Sequence, residues 1–189
     1  MKKAFLALTL TLIAALALSL AGCGSKGKTP EVQPDGFLML QNYKLAQKGR
    51  DDYKGYVGVK ITVGDKDISV TMLGRIGKHM QSGHELYIVD ETKSIVANVK
   101  LTNAPDAFWK GIAYAALADE TVLKAGYSYY IVSKEADGDF WYGERTSVSQ
   151  NAYFSIDGVV MSDDLYTFGF MQNTENRVLG PVDIVFKTI

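Results

Sequence analysis

The sequence of 189 residues predicts an all-β fold, a single antiparallel β-sandwich, and three observations carry that expectation. From Gly36 onward, short runs rich in Val, Ile, Tyr and Thr recur, and within them apolar residues alternate with polar ones. Clusters of Gly, Asp and Asn separate the runs. Short strands at regular spacing with turn residues between them build sandwiches and barrels. No internal repeat at a fixed period suggests a solenoid or propeller.

The chain begins with a segment of a different kind. Lys2 and Lys3 precede a charge-free run, Ala4 to Gly22, rich in Leu and Ala and ending on small residues, as an export signal does. Leu20-Ala21-Gly22-Cys23 resembles the lipobox of bacterial lipoproteins. That resemblance implies cleavage before Cys23, diacylation of its thiol and often acylation of the new amino terminus. Residues 1–22 are therefore expected to be a cleaved signal peptide and Cys23 the lipid-attachment residue. Two or three acyl chains anchor a protein stably, since each buried methylene contributes about 0.8 kcal/mol. Residues 23–35 are expected to be the lipidated cysteine and a flexible tether, because Gly, Pro, Ser and charge dominate without apolar periodicity.

Removing residues 1–22 takes away two lysines and no acid, so the formal charge goes from −1 to −3. A balance this mild gives no electrostatic footprint for nucleic acid. Cys23 is the sole cysteine, which excludes an intrachain disulfide and a cysteine-ligated metal. The expected location is the cell membrane or outer membrane, lipid-anchored and extracytoplasmic. Gly24 after the cysteine favours the outer membrane where one exists, by the sorting rule of Gram-negative lipoproteins.

Residues 36–189 are expected to form the sandwich. Tyr56–Val63 puts Val57, Val59, Ile61 and Val63 on one face by the two-residue period of a strand. Gly64-Asp65-Lys66-Asp67 turns the chain, and Ile68–Met72 returns with Ile68, Val70 and Met72 inward. Glu85–Asp90 and Ser94–Leu101 read as a second hairpin around Glu91-Thr92-Lys93. Pro105–Trp109 reads as a short helical turn with Pro105 in a first-turn position. The alanine-rich Ile112–Ala118 would score as helix on propensity, but its alternation and the bounding Gly111 favour a strand. Tyr127–Ser133, Phe140–Tyr142, Ala152–Ile156, Tyr166–Phe170 and Val182–Thr188 complete the strands.

Several of these runs occur in a familiar order. Val57–Val63, Ile68–Arg75, Ser82-Gly83-His84, Tyr114–Ala118, Tyr129–Glu135, Asp139–Tyr142 and Gly180–Asp183 together resemble a family of β-sandwich accessory modules of unknown function. Such modules accompany secreted and cell-surface bacterial proteins, often beside glycoside hydrolase or lectin-like domains. The likeness spans nearly all of residues 55–189. It implies a jelly-roll-like sandwich and a carbohydrate setting, and it makes Ser82-Gly83-His84 a turn in which His84 forms a structural hydrogen bond.

Catalytic signatures are sparse, so the chain is not expected to be an enzyme. No Gly-x-Ser-x-Gly elbow is present, and Asp51-Asp52 and Asp163-Asp164 are paired in sequence rather than across a cleft. His79 and His84, five apart, match no zinc spacing. No cofactor is expected beyond a structural calcium ion. Asp137, Asp139 and Asp163, with Asp157 and Asp164, lie in apparent loops where hard oxygen ligands could gather, although Asp-Gly pairs also serve hairpin turns. Aromatic residues mark the ligand-binding candidates. Trp109 and the run Phe140-Trp141-Tyr142, with Glu144 and Arg145 after it, could stack on sugar faces and bond their hydroxyls, whereas the same rings also fill sandwich cores. The expected function is a membrane-anchored extracytoplasmic module that recognises carbohydrate. The alternative is a lipoprotein that holds an envelope protein through a sheet face or edge.

Overall fold

Each strand has one apolar face to hide, and two sheets hide theirs against each other. Val57, Val59, Ile61 and Val63 are at most 1% exposed, as their alternation predicts. The computed structural model describes residues 30–40, 49–50, 53–76, 83–142, 144–145, 152–172, 177–178 and 182–189; for 49–50, 141–142, 144–145, 169–172 and 177–178 it describes the backbone alone. Cys23 and the expected signal peptide lie outside the described residues.

In chain order the strands are β1 (Phe37–Leu38), β2 (Gly49–Arg50), β3 (Gly55–Val63), β4 (Ile68–Ile76) and β5 (His84–Asp90). Next come β6 (Ile95–Leu101), β7 (Ala107–Trp109), β8 (Ile112–Leu123), β9 (Ser128–Glu135) and β10 (Trp141–Tyr142). The last are β11 (Glu144–Arg145), β12 (Phe154–Ser162), β13 (Gly169–Gln172), β14 (Arg177–Val178) and β15 (Val182–Thr188). One sheet runs β1-β15-β4-β8-β7 and the other β13-β12-β3-β9-β5-β6, while β10 with β2 and β11 with β14 form two small ribbons. Every pairing is antiparallel. The protein is an all-β sandwich, and its main core joins Val59, Ile61, Leu73, Leu86, Ile131, Ile184 and Phe186 from both sheets.

The alanine-rich stretch is a strand, as alternation indicates, and β8 extends it to Leu123. Propensity gives way here because Ala113 and Ala115 pair with Arg75 and Leu73 of the central strand β4. The helical turn expected over Pro105–Trp109 is absent. Ala107–Trp109 instead pair with Ile112–Tyr114 across the two-residue loop Lys110-Gly111. Both loop residues have positive φ, 48° and 82°, the geometry of the type I′ turn that tightens a hairpin. The strand expected at Tyr166–Phe170 begins instead at Gly169. The Asp164 carboxylate accepts hydrogen bonds from Tyr166 N, Thr167 N and Thr167 Oγ1 and bends that segment into a loop. Asp157-Gly158, expected in a loop, sits inside β12 at a bulge, where Thr62 Oγ1 and Ser155 Oγ donate to Asp157.

Pairing at the amino-terminal side starts within the stretch expected to be tether. Val32 N donates to Phe108 O on β7, and Phe37–Leu38 pair with β15, so residues 32–38 tie both edges of the five-stranded sheet. Met39 and Leu40 are buried, and Leu40 N donates to the Asp183 carboxylate at 3.1 Å. No helix among the described residues is long and apolar enough to cross a membrane.

The two ends of the sandwich differ in chemistry. At one end Phe37, Tyr153, Phe154 and Phe186 form an aromatic cluster with ring centroids 5.3–5.6 Å apart. At the other end the inward-facing positions turn polar.

Candidate functional site

Strand alternation carries the polar groups inward. In β9, Tyr129, Ile131, Ser133 and Glu135 share a face, so the stripe that begins apolar ends in a hydroxyl and a carboxylate. In β4 an irregularity between Val70 and Met72 shifts the alternation by one residue, which brings Arg75 into phase with Leu73 and Val70. In β5, His84 follows the phase of Leu86 and Ile88. Arg75, His84, Ser133 and Glu135 are all buried.

Arg75 and Glu135 join the two sheets. Arg75 Nε donates to Glu135 Oε1 at 3.1 Å and Nη2 to Oε2 at 2.5 Å, and Ser133 Oγ donates to Oε1 at 2.6 Å. Both charged side chains are 0% exposed. A fork-on-fork pair of this kind is geometrically specific, and removing one partner strands a buried charge. It also aligns this end of one sheet with the same end of the other.

The His84 ring sits beside that pair. Its Nδ1 lies 3.1 Å from Lys134 O, the structural hydrogen bond expected for the turn histidine. A carbonyl accepts only, so Nδ1 carries the proton and, in the neutral ring, Nε2 is left as an acceptor. Nε2 has no hydrogen-bond donor and lies 3.5 Å from Asp139 Oδ1. Asp139 closes the turn that follows β9: its N donates to Ala136 O, and Ala136 N donates back to Asp139 Oδ2 at 2.8 Å. Over these groups opens a cavity of about 210 Å³ lined by Lys54, Gly83, His84, Glu85, Lys100, Lys134, Glu135, Ala136 and Asp139. Glu85 Oε2 accepts from Lys134 Nζ at 3.0 Å and Tyr87 Oη at 2.9 Å, and these donors hold its carboxyl below the ordinary range.

His84, Glu135 and Asp139 present ligand atoms within 4.8 Å of one another, which is the spacing of a metal site. The donors argue against one. Both Glu135 oxygens are taken by Arg75 and Ser133, and Asp139 Oδ2 is taken by the turn. The calcium grouping expected of Asp137, Asp139 and Asp163 divides in the same way: Asp139 is buried in the turn, while Asp137 and Asp163 are exposed on different loops. Asp137 with Gly138 occupies the tight turn closed by Asp139 N on Ala136 O, a role such pairs commonly serve.

The aromatic candidates gather at this same end. Trp109 pairs with Ile112, which in turn pairs with Ile76 next to Arg75. Trp141 and Tyr142 follow Asp139 by two and three residues and pair with Arg50 and Gly49; Glu144 and Arg145 pair with Val178 and Arg177. The side chains of these four lie outside the described residues, as does His79. Trp109 is half-buried against the core, with Lys110 Nζ 5.9 Å from its ring centroid. Part of its surface is packed and part is open to solvent.

Reasoning from sequence missed Arg75, Glu135, Lys54, Lys100 and Lys134. The signal for Glu135 was present, because it stands in phase with Tyr129 and Ile131 at the polar end of an apolar stripe. The resemblance to accessory modules rests on ordered strand patterns, and no protein-family model and no curated protein sequence matches the chain.

Proposed function

We propose that this chain is a lipid-anchored, extracytoplasmic binding protein that recognises carbohydrate at the polar end of its sandwich. The observation that carries the proposal is a cavity rimmed by lysines and carboxylates at the end of the sandwich where the short strands bearing Trp109, Trp141 and Tyr142 also lie. Sugars need both parts, since hydroxyls pair with charged and polar groups while ring faces stack on aromatics. The carboxylates at the site are held in ion pairs and a turn, which suits binding better than proton transfer.

Anchoring rests on the lipobox at Cys23. Incorporation of labelled fatty acid by the wild-type chain and its loss in Cys23→Ala tests it; continued labelling of the variant would refute it. A glycan array probed with the full chain in detergent micelles tests recognition. Retention of a defined glycan class, weakened in Trp109→Ala or Trp141→Ala, is expected. Failure to retain any glycan, with both variants unchanged, would reject the carbohydrate reading.

One observation favours the alternative of a protein partner. β6 is an edge strand, and its first residues, Ile95 and Val96, are exposed. Edges of this kind accept an added strand. Stoichiometric cross-linking of an envelope protein to β6 would select that role.

A further inference from the structure

Charge at the cavity narrows the class of sugar. Among the described residues, Lys54, Lys100, Lys134 and Arg75 face the carboxylates of Glu85, Glu135 and Asp139, an excess of one positive charge before His84 is counted. Two of the carboxylates are neutralised in place, Glu135 by Arg75 and Glu85 by Lys134. Lys54 and Lys100 have no ion pair among the described residues. A divalent cation would raise the excess to three in a partly buried site, whereas one carboxylate from a ligand would cancel it.

The placement of the lysines follows from strand order. Lys54 precedes β3, Lys134 lies on β9, and Lys100 lies on β6 opposite Glu85 of β5. From β3 to β6 is three strand spacings, roughly 14 Å at about 4.8 Å each, with the cavity between. Two flexible arms facing each other across that width suit one or two sugar rings.

The floor asks for a hydroxyl. His84 Nε2 is buried without a hydrogen-bond partner, 3.5 Å from Asp139 Oδ1; with Nδ1 bonded to the Lys134 carbonyl, Nε2 accepts when the ring is neutral. A sugar O–H in the cavity that His84 lines can donate to that nitrogen. The unpaired cations at the rim and the undonated acceptor below thus call for a carboxylate and a hydroxyl on one molecule.

We propose that the cavity binds an acidic sugar, a hexuronic acid or a short chain of them, with Lys54 and Lys100 neutralising carboxylate and His84 Nε2 accepting a hydroxyl proton. This rests on the carbohydrate reading above and deepens it. The test is calorimetric titration of the full chain in detergent micelles with oligogalacturonate, with the neutral galactose oligomer of equal length, and with acetate. Tighter binding of the acidic oligomer by about tenfold, weakened by added salt, is expected. Lys54→Gln/Lys100→Gln should lose that advantage while keeping the same melting temperature, since both lysines are outside the core. Equal binding of acidic and neutral oligomers would overturn the acidic class and leave the carbohydrate reading standing. Undiminished acidic binding by the double variant would overturn the site. Acetate binding as tight as the oligomer would overturn the sugar in favour of a bare carboxylate. Absence of binding to either oligomer would overturn the acidic class, and only a blank glycan array would remove the carbohydrate reading with it.

Discussion

Replacing Glu135 by Gln should destabilise the fold by about 3–5 kcal/mol, because the change leaves the Arg75 guanidinium buried without its counter-charge. Both side chains are 0% exposed, so water cannot take over the lost interactions. The cost is concentrated at one place: Glu135 also accepts from Ser133 Oγ, and Arg75 Nη1 has no hydrogen-bond partner of its own. For a domain of this size about 1 kcal/mol shifts the melting temperature by roughly 2–4 °C, so a fall of about 6–20 °C is expected. Urea unfolding followed by tryptophan fluorescence should show a lower midpoint with the slope unchanged, as two-state loss of native stability requires. Arg75→Met/Glu135→Leu provides the control, since an apolar pair of similar volume removes both charges together. That double variant should be far more stable than Glu135→Gln alone, and the non-additivity measures the coupling. A loss below about 1 kcal/mol for Glu135→Gln would mean that the pair is hydrated, and the inter-sheet lock would have to be abandoned.

Three further outcomes follow from neighbouring features. Gly74 pairs with Tyr114 on one side and Asp183 on the other, and a Cβ at Gly74 would stand 2.5 Å from the Tyr114 ring. Gly74→Ala should therefore cost roughly 1–3 kcal/mol by displacing the ring whose hydroxyl donates to Asp183, which chemical denaturation reads directly. Burial pushes the Asp183 carboxyl up to about 6 against the hydrogen bonds that pull it down. The folded state then holds its proton longer than the unfolded chain, so this group's contribution to stability is full below about pH 4 and falls as pH rises to about 6, by roughly 3 kcal/mol. The wild-type minus Asp183→Asn difference in stability, measured from pH 4 to 7, should carry that slope, and a flat difference would contradict it. Gly111→Ala places a side chain at φ 82° with nothing within 4 Å, so its expected cost of about 1 kcal/mol is purely conformational and should vanish if the turn is not type I′.

Much of the sandwich was legible because period-two alternation is a local signal. It placed Val57 to Val63 inward, assigned the hairpin of β5 and β6, and overrode alanine's helical preference in β8. What failed depends on partners distant in sequence or on side-chain capping. Pro105 suggested a helix start, yet the Lys110-Gly111 turn pulled Ala107–Trp109 into a hairpin. Asp164 looked like one member of an acidic pair, and its hydrogen bonds to Tyr166 and Thr167 made it a loop former. At the site, His84 could be assigned a structural bond from its turn, but its second nitrogen meets Asp139 only because the chain turns back at 136–139. Arg75 was hidden most deeply, since only the irregularity in β4 turns it inward toward Glu135. Aromatic residues in loop-like stretches drew attention to the strands near Asp139 and Ile76, without revealing the charged cavity lined by His84 and Lys134.

Amide shifts of the isotope-labelled chain during titration with a glycan retained on the array test the location of the binding site most directly. Changes concentrated at Gly83, His84, Lys100 and Lys134–Asp139 are expected, with Trp109 and Lys110 moving less. Changes confined to the exposed edge at Ile95 and Val96, or to the aromatic end around Phe37 and Tyr153, would contradict a binding site at the polar end.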